Sequence, residues 1–402
     1  MPRVLIFGTL LLVAQVSSPQ CGSTTPAAPD GSGPAIAAAA SNVLPIAVNG
    51  GPTNDALNSV FATVTVCVPG TSNCQTIGGI LVDTGSYGLR IASSALTLSL
   101  PQQTGTSGAP VVQCFAFLDS VTWGPVVTAD VRLAGEQASA IPIQVIGTDR
   151  FPSIPSGCSS QGSPEETVSD LNANGILGIG LGIHDCGSDC TIVGPSNPGL
   201  YYTCPASGSC QVTQEPVVNQ VVNPVAVFPS DNNGAIIQLP AVPTGGQASI
   251  AGALIFGIGT QSNNGLGSAK VLTTDAFGNM QTTFNGQSYG NSFLDSGSNG
   301  IFFLDTATTG LPACRLSTGF YCPPSVRAFS ATQVGANGAT SAVSFNAGSV
   351  DSLNATFSVM SEATGSNPGG FDWGLPFFYG RSIYTAIAGR STPAGNGPYW
   401  AY

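Results

Sequence analysis

Two segments of the 402-residue chain end an apolar run in a carboxylate and a small polar turn: Ile80-Leu81-Val82-Asp83-Thr84-Gly85-Ser86 and Ser292-Phe293-Leu294-Asp295-Ser296-Gly297-Ser298. An aspartate at the end of an apolar strand is costly to bury unless its oxygens are bonded, and the residues that follow supply hydroxyls and backbone N–H groups within one tight turn. Each segment therefore holds a carboxylate in place. Two such turns face to face would bring like charges together, so one proton would be shared across the pair. The ionised member could then take a proton from water while the protonated member polarises a carbonyl, which hydrolyses an amide without metal or covalent intermediate. Taken singly, each Asp-Thr/Ser-Gly also reads as an ordinary turn. The second copy is what favours chemistry.

The elements that must position these turns read as strands. From Val43 onward short Val, Ile, Leu and Phe runs alternate with Gly, Asn, Pro and Ser clusters, and Val60 to Val66 alternates as a half-buried strand does. Each aspartate turn is trailed by an apolar segment containing glycine, Asn174 to Gly180 in the first half and Trp373 to Phe378 in the second, so the chain looks duplicated. Residues 19–41 read as a flexible Ala/Pro/Gly-rich tether, 42–228 as one lobe and 229–402 as a second. The patternless stretch Gln211 to Pro229 is expected to connect them.

Composition narrows the chemistry. With 52 Gly and 30 Pro a mostly helical protein is excluded, and 42% apolar residues over this length suffice for a large core. Nine Lys and Arg stand against 20 Asp and Glu, and Lys270 is the single lysine, which argues against nucleic acid as a partner. One histidine, His184, is too few for His-rich zinc sites or paired-histidine mechanisms, and it reads as a solvated loop residue. The serine-hydrolase signature occurs only as the truncated Gly31-Ser32-Gly33.

The apolar run Val4 to Val16 after Arg3 is too short to span a membrane and suits a signal peptide over residues 1–18. An extracytoplasmic location is expected, whether secreted, periplasmic or at the cell surface. Cys21 is then either a stray thiol or a lipidated first residue, the one expected tie to a membrane. Among the other ten cysteines, spacing favours the pairs Cys67–Cys74, Cys186–Cys190, Cys204–Cys210 and Cys314–Cys322, which leaves Cys114 to Cys158. A zinc cluster competes, but no C-x-x-C spacing occurs among them.

Together these residues resemble the pepsin-like aspartic proteases, here as a divergent, bacterial member. Asn174 to Gly180 is similar to that family's first-lobe D/N-G-I-L-G-L segment, and Leu254 to Gly259 to the I-F-G-G-I segment that opens its second lobe. Gly374 to Ile387 resembles its closing I-L-G segment and final strands. The resemblance covers Val43 to Tyr402 and implies an all-β, bilobal fold of two β-barrels with a cleft between lobes. It also implies a monomer that cleaves polypeptides at acid to mildly acid pH, with no metal or organic cofactor. Asp83 and Asp295 become the catalytic pair. Thr84 and Ser296 would cross-link the turns, Ser86 and Ser298 would bond the outer carboxylate oxygens, and Gly85 and Gly297 would let the turns approach closely. The family's flap tyrosine falls on Phe117, with Trp123 as a substitute lid or both as sheet core, and its tryptophan after the first aspartate falls on Arg90. Arg90 beside Asp83 would favour the ionised carboxylate. These two departures also support another reading, a binding or inhibitory protein on the same fold; a third is an adhesive β protein with purely structural turns. No Lys or Arg occurs between Arg3 and Arg90, so no basic propeptide covering the cleft is expected.

Overall fold

A computed structural model of the protein describes residues 33–206 and 209–402. The expected signal peptide over residues 1–18, Cys21 and Gly31-Ser32 lie outside the described residues, as does the expected tether up to residue 32. Residues 33–40 carry no regular secondary structure. The rest is β-structure. The α-helices described, Ser156–Ser159, Val168–Leu171 and Thr306–Thr309, are four residues each.

A sixteen-stranded sheet runs through the first half and into the second, and a seven-stranded sheet completes the second half. The first strand, Val43–Val48, joins the halves: it pairs with Val60–Cys67 on one side and, antiparallel over its full length, with Ile250–Phe256 on the other. Alternation explains its neighbour, since Ala62, Val64 and Val66 are buried while Thr63 is exposed and Thr65 half-buried.

The duplication is visible in the strand order. Cys74–Asp83 runs parallel to Gly175–Ile179, which pairs antiparallel with Tyr87–Ala92. In the second half Gln287–Leu294 runs parallel to Asn367–Trp373, which pairs antiparallel with Ile301–Leu304. In both, the strand before the aspartate and the strand after its turn flank a third strand from far along the chain. Val82 and Leu294, each one residue before its aspartate, are fully buried in one continuous apolar core.

The glycine of each trailing segment presses on its turn. A Cβ on Gly178 would lie 2.6 Å from Tyr87 N, and one on Gly374 would lie 2.6 Å from Ser298 O, closer than any real side chain tolerates. The stretch expected to link the lobes is packed rather than loose. Gln211–Val212 forms a strand edge, and Val221, Val222, Val225, Ala226 and Phe228 are buried.

All five expected disulfides form: Cys67–Cys74, Cys114–Cys158, Cys186–Cys190, Cys204–Cys210 and Cys314–Cys322. They point to an oxidising compartment.

Candidate active site

Each carboxylate is held by its own turn. Asp83 Oδ1 accepts from the Gly85 N–H at 2.7 Å, and its Oδ2 accepts from the Ser86 hydroxyl. Asp295 repeats the pattern, with Oδ1 accepting from the Gly297 N–H at 2.8 Å and Oδ2 lying 2.9 Å from Ser298 Oγ.

The two turns are also bonded to each other. Thr84 N–H donates to Ser296 Oγ at 3.1 Å, and Ser296 N–H donates to Thr84 Oγ1 at 2.9 Å. The same hydroxyls donate onward across the interface, Ser296 to the Val82 carbonyl at 2.7 Å and Thr84 to the Leu294 carbonyl at 3.3 Å. Approach this close requires glycine. A Cβ on Gly85 would sit 2.8 Å from the Asp295 carboxylate, and one on Gly297 would sit 2.7 Å from Asp83 Oδ1. The two carboxyl groups lie within reach of a shared hydrogen bond, and both are buried. Burial, followed by the negative charges of Asp83 and Asp372, pushes Asp295 well above the ordinary carboxylate range.

The pair opens into a cleft of about 1160 Å³ between the halves. The hairpin of Val111–Ala116 and Ser120–Leu133 closes at Phe117, whose N–H donates to the Ser120 carbonyl at 2.8 Å, and its tip covers one side of the cleft. Phe117 thus lines the cleft as the flap reading expects. Trp123 does not. It is fully buried against Tyr202 and donates from Nε1 to the Phe151 carbonyl, because its strand turns that face into a satellite core under the flap. The Cys114–Cys158 disulfide ties the flap strand to the same core.

Arg90 does not touch Asp83, although the two charges still act on each other at longer range. Its side chain is fully buried, Nη2 pairs with Asp185 Oδ2 at 3.1 Å, and Nη1 donates to the Tyr87 carbonyl at 2.7 Å. The guanidinium lies 3.6 Å from the centre of the Phe115 ring, at the base of the flap. Among the described residues no hydrogen bond or ion pair joins Arg90 to Asp83. Asp185 is held further by Tyr201 and Gln113. Burial raises it to about 6, with Arg90 opposing that rise.

A smaller expectation is also corrected. His184 is half-buried with a buried Nδ1 that has no partner, and burial lowers its pKa, so it is not a solvated loop residue. Phe228, Phe256 and Phe303 are buried in the core, whereas Phe302 lines the cleft.

Sequence reasoning missed Asp372. Phe371 and Trp373 point into the aromatic core of the second half, so strand alternation turns Asp372 to the opposite face, into the cleft. Its Oδ2 lies 2.6 Å from Ser298 Oγ, and its Oδ1 is buried without a partner. Burial raises Asp372 to about 7. A carboxylate between two aromatic residues, just before the trailing glycine, was the available signal. Tyr87 was missed as well; it follows the first turn directly, lines the cleft, and burial keeps its phenol protonated.

Over residues 38–402 the sequence matches the family model described as "Protein of unknown function (DUF3443)". The chain belongs to the DUF3443 family. No curated protein matches its sequence. Among solved structures, this DUF3443 chain is similar to the aspartic proteinase from Irpex lacteus. The TM-score is 0.50 at 15% identity, covering 89% of this chain and 96% of that one. At that identity the likeness is one of fold, and the DUF3443 chain has the all-β, bilobal pepsin-like fold.

Proposed function

We propose that the chain is an aspartic endopeptidase that hydrolyses a polypeptide laid along the cleft, with Asp83 as base and Asp295 as acid. One observation carries the reading: two buried carboxylates sit in mutually cross-linked turns, each within van der Waals reach of the glycine of the other. Asp295, pushed upward, keeps the shared proton and donates it to the scissile carbonyl oxygen. Asp83 accepts a proton from the attacking water, and the product is a gem-diol that collapses to amine and acid. The reaction as written needs neither metal nor organic cofactor.

Cleft chemistry supports an apolar, uncharged or basic segment as substrate. Phe115, Phe117, Leu118, Phe277, Phe293 and Phe302 all line the cleft, and among the described lining residues none is basic. The lobes are 42–228 and 229–402, and the protein acts as an exported monomer after loss of residues 1–18, with Cys21 as an optional lipid anchor. A phenylalanine at the flap tip shields substrate but donates no hydrogen bond, which is the feature that favours the alternative, a non-cleaving binding protein.

Incubating the full chain with an unfolded protein across pH 3 to 7 decides between them. Cleavage that a statine-type transition-state analogue blocks supports the protease. Binding of the analogue or of peptides without any cleavage supports the alternative.

A further inference from the structure

Ser298 Oγ lies between two carboxylates, 2.9 Å from Asp295 Oδ2 and 2.6 Å from Asp372 Oδ2. A hydroxyl has one proton to donate. Both contacts can be hydrogen bonds only if one of the two acids is itself protonated and donates to Ser298. The chain Asp295–Ser298–Asp372 therefore holds one proton beyond that of the serine, and it has two forms. In one, Asp295 is protonated and donates to Ser298, which donates to Asp372. In the other, Asp372 donates to Ser298, which donates to Asp295. Interconversion conserves protons: Asp372 loses one, Asp295 gains one, and Ser298 exchanges one for another.

We propose that Asp372 is a positioning residue that acts through Ser298 as a proton store for the pair, keeping Asp295 protonated and extending the working range toward neutral pH. The inference rests on the protease reading of Asp83 and Asp295. The surroundings are consistent with it. The titratable groups facing Asp372 are Asp295, through Ser298, and Asp83 across the turn interface. The strands paired on either side offer it Phe293 and Phe302, and no basic side chain among the described residues lines the cleft to stabilise its anion. Its Oδ1, buried and unpartnered, is an expensive place for a full negative charge. Burial accordingly raises Asp372 to about 7, and its charge in turn raises Asp295.

The test is a pH–rate profile of the full chain on an unfolded protein, with Asp372→Asn and, because that variant alone could misfold, Ser298→Ala. The expected result is that both variants bring the basic limb down by about one pH unit or more, with the acid limb unmoved. Basic limbs that superimpose on that of the parent overturn the proposal. A readout independent of turnover separates this from failure of the protease reading: infrared difference spectra of the carboxylic acid C=O stretch between pH 5 and 9. A protonated carboxyl persisting to about pH 7 in the parent, lost in Asp372→Asn and, without the Ser298 hydroxyl that holds it down, titrating higher in Ser298→Ala, supports the store even if the chain cleaves nothing. A band unchanged in both variants overturns it.

Discussion

The two halves build the same turn on different supports. In the first half the strand carrying Gly178 places Ile176 beside Leu81 on one neighbouring strand and beside Arg90 on the other. The corresponding strand of the second half ends just before Gly374 and places Asp372 between Phe293 and Phe302. The charge sits on a flank in one half and at the centre in the other. On the first side the extra acid, Asp185, is paired with Arg90 behind the flap; on the second, Asp372 has no cationic partner among the described residues and is bonded to the turn itself through Ser298. The difference teaches that the hydrogen-bond geometry of a turn can be duplicated faithfully while its electrostatics are not, and that this asymmetry assigns the proton to Asp295.

Removing the cation on the first side is the harshest way to disturb the comparison. Arg90→Gln strands the fully buried Asp185 carboxylate and removes the guanidinium from Phe115, so a loss of about 3–5 kcal/mol of stability is expected in denaturant unfolding. Asp185 should then keep its proton above the present value of about 6. A stability close to that of the parent would mean that the ion pair does not support the flap.

Breaking the cross-link between halves costs less. Thr84→Val keeps shape but leaves the buried Ser296 N–H without its acceptor, for an expected loss of about 1–3 kcal/mol and a larger fall in activity than in stability. If stability falls and activity holds, the pair does not depend on that bond for its spacing.

Making the second side resemble the first is the mildest change. Folded Asp372 holds its proton to about 7, against 3.8 as its ordinary value. Between those values the folded chain binds one more proton than the unfolded chain, so this residue lowers stability as pH rises through that window. Asp372→Asn should therefore gain stability relative to the parent as pH goes from 4 to 7 in thermal unfolding. Parallel curves would contradict the assignment of Asp372 as the uncompensated acid.

Much of this was readable in the sequence because it is local. Apolar residues before Asp83 and Asp295 became strand ends, the Thr/Ser-Gly-Ser that follow became carboxylate cradles, and short cysteine spacings became disulfides. What was not readable depends on pairing across long separations. Asp372 meets Ser298 at 74 residues' distance, and Asp185 meets Arg90 at 95, so neither contact leaves a local pattern. The cleft-lining position of Phe302 and the burial of Trp123 follow from which face of a strand meets the other half. The packing within Gln211 to Pro229 was missed because its valines around prolines show no period: Val221, Val222 and Val225 are buried while Val212, Val217, Val218 and Val227 are exposed.

The central claim is that Asp83 and Asp295 act as one pair sharing one proton. The most direct test is the initial rate of cleavage of an unfolded protein at the parent's optimum pH, compared between the parent, Asp83→Asn and Asp295→Asn, each first shown to be folded. The account predicts that each substitution lowers the rate by at least about 10²–10⁴-fold, and that the double variant is scarcely worse than either single one. Cleavage that persists in both single variants would contradict it.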